Sequence, residues 1–174
     1  MANVRDATSI DELGGQLRAR ELSAAELLET CLRRIDAEDK NLNAFIRVMA
    51  DEARGQAAEA DRELAAGRDR GPLHGIPIAV KDLIDIKGLP TTAASRVRDG
   101  HRADADAAVV VQLRRAGAIV IGKTNLHEFA YGTTSEDSAF GPVRNPHDPS
   151  RSPGGSSGGS AVAVAPPLAR AGAR

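Results

Sequence analysis

The sequence predicts an α/β protein in which a sheet is covered by helices, and three features of its 174 residues carry that expectation. Charged, amphipathic helical segments fill the first part of the chain. Past Gly71-Pro72 the pattern becomes strand, helix, strand, with short β-branched runs alternating with a helical stripe. The composition, 41% hydrophobic and 27% charged, is that of an ordinary globular domain rather than a disordered or fibrous chain.

The elements follow from local chemistry. A short helix is expected from Ser9. A second is marked by Ser23-Ala24-Ala25-Glu26, a capping box in which the Ser23 hydroxyl and the Glu26 carboxylate satisfy each other's backbone N–H groups. It should run to about Asp39, because Leu28, Cys31, Leu32 and Ile35 fall at i, i+3, i+4 and i+7 and bury one face, leaving Arg33, Arg34 and Glu38 in water. Ala44 to Val48 reads as a strand, followed by an Ala- and Glu-rich helix from about Asp51 to Ala66 that Gly67 breaks.

Ile76 to Val80 is a strand that delivers Lys81 at its end, and Pro77 confines it to a strand start or a sheet edge. Asp104 or Asp106 is expected to cap a helix through about Ala116, with Gly117 closing it before a buried strand from Ala118 to Ile121. After Thr124 a short helix would carry Leu126, Phe129 and Ala130. The irregular stretch from Gly132 to Pro153 is long enough to suggest a functional loop. These boundaries divide the chain into an N-terminal helical region (1–70), a site-bearing core (71–165) and a divergent tail (166–174).

Charge and composition exclude several functions. With a net charge of −1 and no long run of one sign, there is no footprint for nucleic acid or anionic lipid. No stretch approaches the roughly 18 apolar residues of a membrane span, and no apolar run marks a signal peptide, so a cytoplasmic location is expected. Cys31 lies on the apolar helix stripe and reads as a structural thiol. The four histidines are scattered, and His127-Glu128 lacks the second histidine of a zinc helix because position 131 is Tyr; neither metal nor cofactor is expected. Small-molecule chemistry is the remaining default.

The segment Gly154-Gly155-Ser156-Ser157-Gly158-Gly159-Ser160 admits several readings. A flexible linker is one, although the apolar run Ala161 to Ala165 that follows suits a buried helix better than a linker's end. A phosphate loop would need Gly-Lys-Ser/Thr, and no lysine is present. The G-x-S-x-G nucleophile elbow requires a preceding strand, whereas Asn145-Pro146-His147-Asp148-Pro149 is a proline-broken loop, and no acid or histidine follows Ser156. A further possibility is a serine cluster served by a lysine base. Lysine can accept a proton only when neutral, so it must be desolvated. Lys81 directly follows an apolar run and fits, yet Asp82 and Asp85 stand close by, and the residues alone favour a structural ion pair.

Together, Gly75-Ile76-Pro77-Ile78-Ala79-Val80-Lys81-Asp82 and Pro153-Gly154-Gly155-Ser156-Ser157-Gly158-Gly159-Ser160-Ala161 resemble the amidase signature family. Between them Thr91-Thr92-Ala93, Asp104-Ala105-Asp106-Ala107, Gly122-Lys123-Thr124-Asn125 and Glu128-Phe129-Ala130 fall in the family's order, so the resemblance spans about residues 5 to 165. It implies a mixed sheet flanked by helices, of which this chain holds the N-terminal part, incomplete. It also implies hydrolysis of carboxamide C–N bonds by a Ser–cis-Ser–Lys triad, with Lys81 as base and Ser156 as the bridging serine. Ser157 and Ser160 would hydrogen-bond the loop and cap the next helix. Tyr131, Gly132 and Thr133 fall where family members line the substrate pocket.

The attacking serine of that triad follows the bridging one in a Gly-(Ser/Thr)-Asp-x-Gly-Gly-Ser segment. Here the last serine is Ser160, and Pro166-Pro167 interrupts the expected helix. The resemblance therefore leaves three functions open: an amidase of small carboxamides, inactive by itself; the glutamine-hydrolysing A subunit of a tRNA-dependent amidotransferase, working with partner subunits; or a non-catalytic fragment of a disrupted gene. A partial sheet would also leave apolar edges unpaired. The purified chain is expected to aggregate or to melt without cooperativity, and a monomeric, cooperative thermal transition would overturn that expectation.

Overall fold

The computed structural model describes residues 9–165; the tail expected from Pro166 onward lies outside the described residues. Its elements run α1 (Ile10–Ala19), α2 (Ala24–Leu42), β1 (Phe45–Val48), α3 (Ala50–Ala65), β2 (Pro77–Lys81), α4 (Ala108–Arg115), β3 (Ile119–Thr124) and α5 (Gly158–Val164). The three strands form one mixed sheet in the order β1-β3-β2. β1 is antiparallel to β3 and β2 is parallel to it, with Lys81 opposite Thr124 at the end of the ladder. The parallel pair needs a crossover, and α4 supplies it.

Capping chemistry sets the helix ends. Both α1 and α2 start with a full capping box, Ser9 with Glu12 and Ser23 with Glu26. Asp61 of α3 adds a carboxylate to the start of α2, accepting from Ala24 N at 2.7 Å and Ala25 N at 3.1 Å, where the helix dipole favours negative charge. The second helix runs to Leu42 rather than stopping near Asp39. Asp39 instead turns its carboxylate to the start of β1, accepting from Ala44 N at 2.7 Å and Phe45 N at 3.2 Å. α4 is not capped by Asp104 or Asp106; its cap is Ala107, without a side-chain bond. Asp106 is committed elsewhere, accepting from Lys87 N at 2.7 Å and pairing with Arg114. Gly117 ends that helix with φ +76, as its position suggests.

Strand alternation splits the core into two clusters. Ile119 and Ile121 of β3 point to one face, packing with Leu28 and Leu32 of α2 and Ala53 and Ala57 of α3. Val120 points to the other, joining Val80, Ile86, Met49 and Val110 of α4. All six residues of β3 are buried, so the middle strand is apolar throughout until Lys123 and Thr124. The segments on either side of residue 70 thus share one sheet and both core clusters. Cys31 is half-buried beside Leu27 and Ile35, and burial pushes its thiol pKa up.

The short helix after Thr124 is a single 3-10 turn, Glu128–Ala130, which leaves Phe129 half exposed at φ +52 while Leu126 is fully buried. From there to Ser157 no helix or strand forms. α5 begins at Gly158, three residues before the expected apolar run, because Gly158 and Gly159 enter the helix where it presses on its neighbours. A Cβ on Gly159 would lie 2.4 Å from the Asn125 carbonyl oxygen and 2.5 Å from that of Ala44, both rigid backbone. Gly159→Ala is expected to destabilise the chain by about 1–3 kcal/mol through forced backbone shifts, read as faster limited proteolysis of the variant than of the parent chain.

Candidate active site

Lys81 ends β2 at the carboxyl end of the parallel strand pair, the side of an α/β sheet where ligand sites usually form. Its Nζ lies 2.8 Å from Ser156 Oγ and 2.8 Å from Ser157 Oγ. The peptide bond between Gly155 and Ser156 is cis. Among the described residues Lys81 makes no ion pair. Asp82, which could have neutralised it, binds the other lysine: Lys123 Nζ stands 2.8 Å from Asp82 Oδ1, with both side chains at most 2% exposed. Left half-buried without a counter-charge, Lys81 has its pKa lowered by desolvation, which disfavours the ammonium form.

The Lys123–Asp82 pair is fully satisfied. Besides Asp82, Lys123 Nζ lies within hydrogen-bond distance of Ile84 O at 2.9 Å, Pro90 O at 3.2 Å and Thr91 Oγ1 at 3.2 Å, so its three N–H groups are shared among four oxygens. Asp82 Oδ2 accepts from both the backbone N–H and the hydroxyl of Thr92. The pair thereby folds the segment after β2 back over the end of β3.

A second network fixes the serine loop. Asn125, fully buried, donates from Nδ2 to Asn43 O at 3.2 Å and Gly141 O at 3.1 Å. Its Oδ1 accepts from Leu126 N and Ser138 Oγ, both at 2.8 Å, and its carbonyl accepts from Gly159 N at 3.1 Å. Ser135, also fully buried, accepts from Gly158 N at 3.0 Å and donates to Ser156 O at 3.4 Å. Ser160 shares a hydrogen bond with Thr124 Oγ1 at 2.8 Å. Ser157 occupies the N-cap position of α5 but makes no side-chain cap bond, contrary to expectation, because its hydroxyl is turned to Lys81.

The structure therefore brings Lys81 and Ser156 together, separated in sequence by a whole crossover. Thr133 reaches the same loop through its backbone, since a Cβ on Gly155 would lie 3.0 Å from the Thr133 carbonyl carbon. Gly132 packs on the His127 ring, and Tyr131 is 92% exposed on the rim of a groove it shares with Val97 and Phe129. Sequence reasoning left out Ser157 as a partner of Lys81, and Asn125 and Ser135 as the supports of the loop. The only available signal was their place in or near the Gly122 to Asn125 motif and the long irregular segment.

The family model for Amidase matches residues 26–173. The chain belongs to the amidase signature family. It is 51% identical over 154 residues to the A subunit of glutamyl-tRNA(Gln) amidotransferase from Anaeromyxobacter dehalogenans, covering 88% of this chain and 31% of that protein. It is likewise 51% identical over 165 residues to the same subunit of Ralstonia nicotianae, covering 95% of this chain and 33% of the relative. Among solved structures, the native peptide amidase of Stenotrophomonas maltophilia superimposes with a TM-score of 0.86 at 45% identity, covering 94% of this chain and 35% of that one. The chain thus spans about a third of the length of these amidase relatives.

Removing one partner of the buried pair should be far worse than removing both. Lys123→Met leaves Asp82 buried and uncompensated and is expected to cost about 3–5 kcal/mol. Adding Asp82→Leu should recover a large part of the loss. Urea denaturation of the two variants checks this, and equal stabilities would overturn it.

Proposed function

We propose that this chain carries the base and the bridging serine of an amide hydrolase that cleaves carboxamide C–N bonds. The observation that carries the reading is the contact of Lys81 Nζ with Ser156 Oγ at 2.8 Å, made by a lysine with no carboxylate partner among the described residues. A neutral amine has one lone pair and two N–H groups. It can accept the Ser156 proton while donating to Ser157 Oγ, which orients the lone pair. Ser156 in turn would take the proton of an attacking hydroxyl, as the second member of a Ser–cis-Ser–Lys triad.

That attacking serine is not among the 174 residues, none of which is a serine after Ser160. These residues alone are therefore proposed to be inactive. The substrate would be a small amide reaching the loop past Tyr131, Gly132 and Thr133, in a cytoplasmic setting. Among the described residues no helix is long and apolar enough to cross a membrane.

A second reading is supported by the 51% identity to the A subunit of the amidotransferase: a glutamine-hydrolysing component that works with partner subunits. Grafting separates the two. Residues 26–165 would replace the matching third of the peptide amidase or, separately, of the amidotransferase component, and ammonia release would be measured from simple carboxamides and from glutamine. The expected outcome is hydrolysis that rises with pH through the Lys81 pKa, because the neutral amine is the working form and its lowered pKa places the midpoint below the ordinary lysine range. Lys81→Met and Ser156→Ala should each lower kcat about 10²–10⁴-fold. Full activity in either variant would sink the proposal, as would Ser156-dependent turnover by the ungrafted chain sink its inactivity.

A further inference from the structure

His127 has no role in the chemistry above, yet it touches both sides of the site. Its backbone N–H donates to Ser156 O at 3.0 Å, so it holds the carbonyl of the bridging serine from below. Its ring, only 12% exposed, fills the space beneath the Tyr131-Gly132-Thr133 segment. A Cβ on Gly132 would meet three ring atoms at 2.2–2.5 Å, which makes position 132 a glycine because the imidazole already occupies that volume.

The segment is closed into a loop around this ring. Glu128 N donates to Asp137 O at 2.8 Å, and His127 Nε2 stands 3.4 Å from Asp137 Oδ2. Ala130 N donates to His127 O at 2.8 Å, and Tyr131 N donates to Glu128 O at 3.0 Å. The far end of the loop returns to the serine, since Ser135 Oγ donates to Ser156 O at 3.4 Å. Ser156 O thus receives one hydrogen bond from each end of a single loop, and the imidazole of the residue at its first end packs against Gly132 within it. Nδ1 of the ring is buried without a hydrogen-bond partner, so the ring's hold on the loop comes from packing and from the Asp137 side.

We propose that His127 is a positioning residue that couples the Tyr131 to Thr133 segment to Ser156, and that its protonation state is transmitted to the serine loop. The proposal rests on the reading of Ser156 as a bridging serine only for its functional meaning; the coupling itself is geometric. The ionisable groups around the ring are Asp137 across the loop and, along the same groove, Glu128, Tyr131 and Arg96. Protonation would strengthen the pairing with Asp137 while placing charge on a mostly buried ring, so it shifts the loop that the ring supports.

The test is a pH titration of the labelled chain between about pH 5 and 8, the range in which histidine alone ordinarily titrates. The His127 ring signals and the backbone amides of Gly155, Ser156 and Thr133 would be followed by NMR. The expected result is one common midpoint for the ring and those three amides, with Ile119 and Val120 of the central strand unmoved. His127→Gln should abolish the amide titration. Flat Ser156 and Thr133 amides while His127 titrates would overturn the coupling without needing any variant to fold. The Lys81 side-chain signal, recorded in the same samples at higher pH, reports on the base separately. An ordinary lysine titration there would count against the hydrolase reading and leave the His127 coupling standing.

Discussion

Two lysines stand at the ends of neighbouring strands, and the structure depends on which of them pairs with buried Asp82. Asp82 goes to Lys123, deep at the end of β3, where three further oxygen acceptors complete the shell of the ammonium. Adjacent residues on extended backbone face opposite ways, so the side chain of Lys81 emerges on the side of the serine loop. Burying two charges is expensive, and a pair of this kind is poor evidence of stability by itself. Its effect here is allocation: it fixes the segment after β2 and leaves the neighbouring amine half-buried with hydroxyls as its partners.

The serine loop is held by a different kind of constraint, close approach of backbone to backbone. Gly155, Gly158 and Gly159 each lie where a Cβ would collide with Ser135, Thr133, Asn125 or Ala44. The hydrogen bonds of Asn125 and Ser135 then tie that loop to the start of β1 and to the long irregular segment. A region without helix or strand is in this way as determined as the sheet beneath it, because the buried polar groups of Asn125 and Ser135 are paired.

Much of this was legible in the sequence. The helix start at Ser9, the capping box at Ser23, the edge position of Pro77 and the closing Gly117 all act locally, through residues a few positions apart, and their structures match the reading. What the sequence hid depends on distant partners. Asp106 could not be seen to prefer Lys87 N over the start of α4, nor Ser157 to prefer Lys81 over α5. The most consequential case is Asp82: nearness in sequence favoured an ion pair with Lys81, and only the parallel register, which places Lys123 opposite Val80, shows where the carboxylate goes. Lys81 stood out as a candidate base from its place after an apolar run, but its pairing with Ser156 came from the family resemblance.

The glycines of the serine loop also act as a gauge of register. Substituting an exposed residue such as Ser157 changes a side chain and leaves the path of the loop intact. Sliding the segment by one position is different in kind: it would bring Ser157 against the Ser135 side chain that Gly158 now faces, or Ser160 against the Asn125 and Ala44 carbonyls that Gly159 now faces. The loop can therefore seat in one alignment only, and that alignment is the one that sets two hydroxyls at equal distance from one amine. Smallness, more than any polar group, decides which serine the lysine meets.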